Sequence, residues 1–134
     1  MDDLEKLQGI STAQIDKLHK AGIRGLETLL VKGSTVQGRS ELAGKTRISV
    51  NRIMNWVHRA DLMRVKGIGS EYADLLEVAG VDTIRELRRR NPSNLLETLI
   101  VLNTRKRLVR RLPTEGMVSA WIEEAKVVDP VVAY

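Results

Sequence analysis

The sequence predicts an all-α protein of eight to ten short helices. Two apolar stripes repeat at the spacing i, i+3, i+4, i+7, which places their side chains on one face of a helix. No stretch alternates apolar and polar residues between hairpin turns, so a sheet of any size is not expected. The stripes are Ile53, Trp56, Val57 and Ala60, and Val118, Trp121, Ile122 and Ala125.

Residues that favour helix N-termini stand directly before these stripes. Ser49 and Thr114 are predicted N-caps, because a hydroxyl oxygen can accept a hydrogen bond from a backbone N–H of the first turn. Asn91 followed by Pro92 predicts a further helix start, since proline has no N–H to satisfy at the first helical position.

The sequence contains an internal repeat. Residues 7–10 align with residues 65–68 at an offset of 58, and the offset grows to 65 where the Trp56 stripe meets the Trp121 stripe, so the second copy carries seven extra residues. Two glycines that follow helical runs occupy equivalent positions in the copies and are predicted to be left-handed residues after helix C-termini. They are Gly22 and Gly80.

The repeat divides the chain into residues 1–60, residues 61–127 and a C-terminal tail at residues 128–134. A repeat of about 60 residues buries a smaller fraction of its unfolded surface than a larger domain does and is marginally stable alone. We therefore expect the two repeats to pack as one body, with about five short helices in each.

The composition excludes several classes of protein. Cysteine is absent, which removes disulfides, thiolate metal sites and cysteine nucleophiles. Three of the first five residues are acidic, and no apolar run approaches the length of about 18 that spans a bilayer, so we expect a cytoplasmic protein without membrane contact. Aromatic residues make up 3% of the chain, and Trp56 and Trp121 lie on the apolar stripes as core anchors, which disfavours base stacking.

Positive charge is concentrated in residues 85–111, which hold nine basic and two acidic residues, whereas the whole chain has a net charge of +5. Two arginine triplets have the spacing i, i+3, i+4, so each can form one helical face along a phosphate backbone. The alternative is that these arginines end helices before Pro92 and Pro113, where cations complement the helix dipole. The triplets are Arg85, Arg88 and Arg89, and Arg107, Arg110 and Arg111.

Residues 65–76 resemble the helix-hairpin-helix signature, and residues 7–18 resemble a degraded copy of it. Each copy continues in a way that is similar to the N-terminal domain of strand-exchange recombinases and to the C-terminal repeats of a bacterial transcription-elongation factor. The whole chain resembles a bacterial family of stand-alone tandem helix-hairpin-helix proteins without an assigned function. The resemblance implies two tandem helix-hairpin-helix repeats. The matching residues are Val65, Gly67, Ile68, Gly69, Ala73 and Leu76.

A hairpin of this kind can bind nucleic acid through backbone groups. Its glycines permit a tight turn and expose N–H groups at a helix N-terminus, where the helix dipole favours a phosphate. Gly67, Gly69 and the amides of Ser70 and Glu71 form this predicted site, and Gly69 is expected to need a backbone conformation that other residues adopt at a cost. Contacts to phosphates carry no sequence specificity.

A purely structural interpretation of the hairpin stays open, in which Ile68 fills the core at a tight helix connection. The second hairpin carries acids where binding copies place Lys or Arg, and the first has cations but Ser11 in place of the second glycine and Ile15 in place of alanine. Phosphate affinity comes mostly from Lys and Arg. Neither hairpin combines both glycines with positive charge, so each is expected to bind phosphate weakly. The acids are Glu71, Asp74 and Glu77, and the cations are Lys17, Lys20 and Arg24.

Two other patterns are interpreted as structural. Residues 33–40 spell a phosphate-loop pattern with Arg39 in place of lysine, but no flanking strands are visible, so we expect a helix connector without a nucleotide. His19 and His58 lack the spacing of metal ligands and are predicted to lie at the surface. No catalytic residue, metal or cofactor is predicted.

Two functions remain open. The first is a non-catalytic module that binds DNA without sequence specificity, and the alternative is a protein-interaction or adaptor module that keeps the fold and has lost phosphate binding. DNA binding requires the basic residues and the Gly67 turn to lie on the same face of the protein, and this distinguishes the two functions. The sequence also leaves the oligomeric state open. The predicted contact residues are Gly67, Ile68, Gly69, Ser70, Arg85, Arg88, Arg89, Arg105, Lys106, Arg107, Arg110 and Arg111.

Overall fold

A computed structural model describes residues 3–134, and over this range the chain forms eight α-helices, one short 3-10 helix and no strand. The all-α prediction is therefore confirmed. Residues 1 and 2, part of the acidic N-terminus noted above, lie outside the described range. The elements are the 3-10 helix Leu4–Lys6, α1 Thr12–Lys20, α2 Leu26–Lys32, α3 Val36–Thr46, α4 Val50–Leu62, α5 Ser70–Val78, α6 Ile84–Arg88, α7 Pro92–Lys106 and α8 Glu115–Val127.

The described residues form two compact units. The first runs to Asp61 and also includes Pro130–Tyr134, and the second is Leu62–Asp129. The first unit therefore consists of two separate stretches of the chain. The second stretch, Pro130–Tyr134, contributes the buried Val132 to its core. The boundary between the units falls in the last turn of α4.

Each unit has its own apolar core. The second predicted stripe lies wholly in one core, and the first contributes Ile53, Trp56 and Val57 to the other, while Ala60 is buried outside both. Trp56 and Trp121 are both buried, which confirms the prediction that they are core anchors. The first core contains Leu4, Leu7, Leu18, Ile23, Leu29, Leu42, Ile48, Ile53, Trp56, Val57 and Val132. The second contains Leu62, Val65, Ile68, Ala73, Leu75, Leu76, Val81, Ile84, Leu87, Leu95, Leu99, Val109, Val118, Trp121, Ile122 and Ala125.

The predicted N-caps are confirmed. The Thr114 hydroxyl accepts a hydrogen bond from the Met117 amide at 3.1 Å, and the Asn91 side chain accepts one from the Asn94 amide at 3.1 Å. Ser49 accepts from the Arg52 amide at 3.2 Å. Each cap satisfies an N–H group that the first helical turn leaves without an intrahelical acceptor.

The predicted left-handed glycines are also confirmed, with φ of +88° at Gly22 and +84° at Gly80. The two helices end in the same way. In each, the amide of the residue after the glycine donates a hydrogen bond to the carbonyl of the residue five positions earlier in the chain. The Ile23 amide donates to the Leu18 carbonyl at 2.9 Å, and the Val81 amide donates to the Leu76 carbonyl at 2.8 Å. This pattern is the Schellman motif, which satisfies carbonyls that the helix end exposes.

Two expectations about the first unit were wrong. Residues 33–40 are not wholly a connector, because α3 begins at Val36 after a Thr35 cap whose hydroxyl accepts from the Gly38 amide at 2.9 Å. His58 is not at the surface, because its ring stacks on that of Tyr134 with centroids 4.9 Å apart. Tyr134 belongs to residues 130–134, which are part of the first unit although they follow the second unit in the sequence.

Alanine at two glycines should change stability in opposite directions. Gly22→Ala should lower the free energy of unfolding by about 1–2 kcal/mol, because a side chain is strained at this positive φ. Gly44→Ala should raise it by about 0.5–1 kcal/mol, because Gly44 lies within α3 and alanine is the better helix former. No described atom outside the local backbone lies within 4 Å of either added Cβ, so packing does not confuse the comparison. Urea denaturation measures both, and changes of the same sign would contradict this account.

Candidate nucleic-acid interface

The turn that precedes α5, residues 65–69, is held by packing as well as by hydrogen bonding. The Ile68 amide donates to the Val65 carbonyl at 3.1 Å, and Gly67 between them has a φ of +93°, the sign that a type II turn requires at its third residue. A Cβ added at Gly67 would lie 3.0 Å from Nε1 of Trp121. Ile68 is buried in the core, as the structural interpretation of the hairpin predicted.

The expectation for Gly69 was wrong. Its φ of −94° and ψ of −168° are extended, a conformation open to any residue, and no described atom lies within 4 Å of an added Cβ. Gly67 is therefore the residue of this turn that needs a left-handed backbone. Gly69 is the N-cap of α5, and within the described residues no side chain caps that helix.

The corresponding helix of the first unit has a closed N-terminus. Gly9 has a φ of +76°, and Ser11 caps α1 by accepting from the Gln14 amide at 3.1 Å. The Gln14 side chain accepts in turn from the Ser11 amide at 2.9 Å, which completes a capping box. The amides that an anion would approach are thus already engaged at α1, whereas Gly69 supplies no such side chain at α5.

Basic residues stand in the last turn of α7 and in the ordered loop that follows it. We call residues 105–111 the basic loop; its first two residues are the last of α7, which ends where Arg107 adopts the left-handed conformation with φ of +50°. The Asn103 side-chain amide donates to the Val109 carbonyl at 3.1 Å, and its oxygen accepts from the Val109 amide at 3.0 Å. Val109 is buried in the core, while the cations of the loop are exposed. These cations are Arg105, Lys106, Arg107, Arg110 and Arg111.

The basic loop lies beside the first turn of α5. Tyr72, the third residue of α5, donates a hydrogen bond from its hydroxyl to the Arg111 carbonyl at 2.9 Å. The Tyr72 ring also packs on Trp121 with centroids 5.2 Å apart, and Trp121 contacts the turn at Gly67. A cationic loop and a helix N-terminus without a side-chain cap are thereby brought together by contacts among four residues.

The two arginine triplets do not lie together. Arg85 and Arg88 are on α6 and Arg89 is its C-cap, so this triplet precedes the N-terminus of α7, and the basic loop follows its C-terminus. The fifteen residues of α7 span about 22 Å at 1.5 Å per residue. The triplets are therefore attached at opposite ends of one helix.

The structure corrects both helical interpretations of the second triplet. Since α7 ends at Lys106, Arg110 and Arg111 neither extend a helical face from Arg107 nor end a helix before Pro113. Arg105 and Lys106 do occupy the last turn of α7, where cations complement the dipole. The first triplet agrees with the helix-end interpretation, because α6 ends at Arg88.

Acidic groups surround the same turn. Glu71 and Glu77 are exposed on α5, with Asp74 half-buried between them, and the Lys66 amide donates to the Glu124 carboxylate at 2.9 Å. Carboxylates near a phosphate oppose its binding through like-charge repulsion, so they act against the cations of the basic loop.

The structure also describes the phosphate-loop pattern, the candidate metal ligands and the apolar helices. Arg39 is buried and donates to the Gly33 carbonyl at 2.7 Å, so its guanidinium is not presented to a nucleotide. Among residues 3–134 there is no group of three or more acidic or histidine side chains that could hold a metal ion. None of the described helices is long and apolar enough to cross a membrane.

Sequence reasoning did not single out Tyr72 and Asn103, the two side chains that hold the basic loop. Tyr72 occupies an unspecified position of the signature, and Asn103 lies inside an ordinary helical stretch. The signal that could have indicated these two side chains is the insertion of seven residues in the second half of the sequence. An ordered insertion needs hydrogen-bond partners for its backbone N–H and C=O groups, and nearby side chains can supply them.

Comparison with known proteins gives one family. A family profile described as "Domain of unknown function (DUF4332)" matches residues 8–128. No curated protein and no solved structure gives a match.

Substitutions at the two glycines of the turn should have unequal effects on stability. Gly67→Ala should lower the free energy of unfolding by about 2 kcal/mol or more, because it combines left-handed strain with the contact to Trp121. Gly69→Ser should leave it unchanged or raise it by a few tenths of a kcal/mol, since serine is the N-cap at the equivalent Ser11. Denaturant midpoints at constant m-value measure both, and a large loss for Gly69→Ser would contradict the assignment.

Proposed function

The chain belongs to the family described as "Domain of unknown function (DUF4332)", and we propose that it is a non-catalytic tandem helix-hairpin-helix module that binds DNA through its phosphate backbone, without sequence specificity. The observation that carries this proposal is the contact between Tyr72 and the Arg111 carbonyl, which sets the cationic basic loop beside the uncapped N-terminus of α5.

Equivalent backbone conformations in the two units support the tandem arrangement. Gly9 and Gly67 both have positive φ in the turn before a helix, and Arg47 and Arg107 are left-handed C-caps with φ of +60° and +50°. The tryptophan of each unit also contacts that turn. In the first unit Trp56 donates from Nε1 to the Gln8 carbonyl at 3.4 Å, and in the second Trp121 packs on Gly67.

The chemistry of the site suits a phosphate diester. Amides at the start of α5 and the helix dipole favour an anion there, and the cations of the basic loop add the counterion release that supplies most nonspecific affinity. Because Asn103 and Tyr72 hold the loop in place, binding does not have to order its backbone. Such contacts reach phosphates and not base edges, which is why we propose binding without sequence specificity.

A second candidate function is an adaptor that binds protein. The specific observation in its favour is the acidic character of α5, with Glu71 in the first turn of the helix, Asp74 and Glu77 further along it, and Glu124 bonded to the Lys66 amide. In this alternative the basic loop meets acidic groups of a partner protein instead of phosphates. Fluorescence anisotropy with duplex and single-stranded DNA at several salt concentrations separates the two candidates.

Neutralising the basic loop should weaken DNA binding uniformly across sequences. In Arg107→Gln/Arg110→Gln/Arg111→Gln we expect the slope of log affinity against log salt to become shallower by up to about 3 units, because each lost phosphate contact removes about 0.9. The matched control is Arg85→Gln/Arg88→Gln/Arg89→Gln, which removes equal charge at the other end of α7. Equal losses in both triple variants would show that net charge alone matters and would contradict the proposed site.

Substitutions at the start of α5 should change DNA affinity in opposite directions. Glu71→Lys should strengthen binding by about tenfold or less, because it replaces a repulsive carboxylate with a cation. Gly69→Ser should weaken binding, because its hydroxyl can engage the amides as Ser11 does in α1. Glu97→Lys makes the same charge change at an exposed position on α7 and serves as the control. If Glu71→Lys and Glu97→Lys act alike and Gly69→Ser is silent, the turn does not contact DNA.

A further inference from the structure

The segment at residues 130–134, which we call the tail segment, is bound to the first unit by its backbone. The Ala133 amide donates to the Ser34 carbonyl at 2.7 Å, and the Ala133 carbonyl accepts from Nη2 of Arg39 at 2.6 Å. Both polar groups of one peptide residue are therefore satisfied by the surface on which it lies. Proteins that bind extended peptides use main-chain hydrogen bonds of this kind for affinity.

Arg39 is a fixed donor for this purpose. The side chain is 2% exposed, and its Nη1 donates to the Gly33 carbonyl at 2.7 Å while Nη2 holds Ala133. Gly33 in turn lies so close to Val57 of α4 that an added Cβ would collide with it. The guanidinium is always charged and held in one orientation, so its second donor is aimed at whatever carbonyl lies at the position of Ala133.

Alternate side chains of the tail segment face the first unit. Val132 is 6% exposed and belongs to the first core, and the Tyr134 ring stacks on His58 with an interplanar angle of 28°. Val131 and Ala133, which precede these two residues in alternation, are exposed. Alternation is the pattern of an extended chain with one face bound, and the bound side chains supply specificity.

The tail segment has no regular secondary structure. It forms no helix, four of its five residues are exposed, and a single apolar side chain enters the core. Ordering five residues carries a large loss of conformational entropy against these contacts, so the segment belongs to the part of the structure that opens most easily. Its binding surface is therefore accessible to a competing chain.

We propose that this surface, formed by Ser34, Arg39 and His58 and called here the tail site, recognises extended peptides and is occupied in cis by the tail segment. The partner it fits is an extended protein segment with a valine-like side chain two residues before an aromatic one, as Val132 stands to Tyr134. The tail segment competes with this partner for the tail site, so the partner binds only where its affinity is high enough to displace the tail segment. This inference does not rest on the proposed DNA binding, which uses residues of the second unit.

A peptide with the sequence of residues 128–134, labelled with a fluorophore and amidated, tests the proposal against the full-length chain. In the Val132→Asp variant the tail segment should leave the tail site, because a carboxylate does not enter an apolar core. We expect saturable peptide binding to this variant and binding at least about tenfold weaker to the parent chain, whose tethered segment competes at a millimolar effective concentration. A control peptide with aspartate at the position of Val132 should bind neither chain.

Ala133→Pro is the second test variant, used where circular dichroism shows that Val132→Asp does not fold. It removes the N–H that Ser34 accepts and leaves the core side chains unchanged. The proposal is overturned if a folded variant shows no saturable binding at millimolar peptide, or if the control peptide binds as well as the parent sequence. It is also overturned if the parent chain is a dimer and either variant is a monomer, because the tail segment would then bind the tail site of a second copy of this chain.

Discussion

The contact between a tryptophan and a tight glycine turn organises both units. Trp121 lies against Gly67 in the second unit, and Trp56 donates to the Gln8 carbonyl beside Gly9 in the first. Burying an indole of 150–250 Å² stabilises a fold by about 4–6 kcal/mol, more than the hydrogen bond of the turn contributes. Packing therefore requires the left-handed glycine and sets the direction in which the next helix starts. Any phosphate contact at α5 would use a geometry that the core already enforces.

The same packing explains why the two units differ at their helix starts. In the first unit the residue after the turn is Ser11, and its capping box with Gln14 engages the amides of α1. In the second unit Gly69 occupies the equivalent position, and the third helical residue is Tyr72, whose hydroxyl reaches the backbone of the basic loop instead. Two exchanges of side chains therefore engage the first amides of α1 in one unit and connect α5 to the basic loop in the other.

The two proposals concern different parts of the molecule. The basic loop belongs to the second unit, and its cations are exposed, so salt should weaken any contact they make with a phosphate. The tail site belongs to the first unit and depends on a buried guanidinium whose acceptors are carbonyls, so salt should affect it much less. Ionic strength should therefore distinguish the two proposed activities in a single preparation.

Local features of the fold could be predicted from the sequence, and features made by distant residues could not. The caps at Asn91 and Thr114 and the left-handed Gly22 each involve residues within five positions of one another, so their chemistry is visible in a short stretch. The end of α7 was missed because Arg107 adopts a left-handed conformation that no local glycine or asparagine signals.

The sequence by itself determined the helical class, the apolar stripes, several helix ends and the position of the tight turns, because periodicity and capping act over a few residues. Only the tertiary structure decided which basic residues lie beside the Gly67 turn, since that follows from a hydrogen bond between residues 39 positions apart. It also decided the burial of Arg39, whose acceptor at Ala133 is 94 positions away. Contacts at such separations depend on how whole helices pack, and no local pattern of residues encodes them.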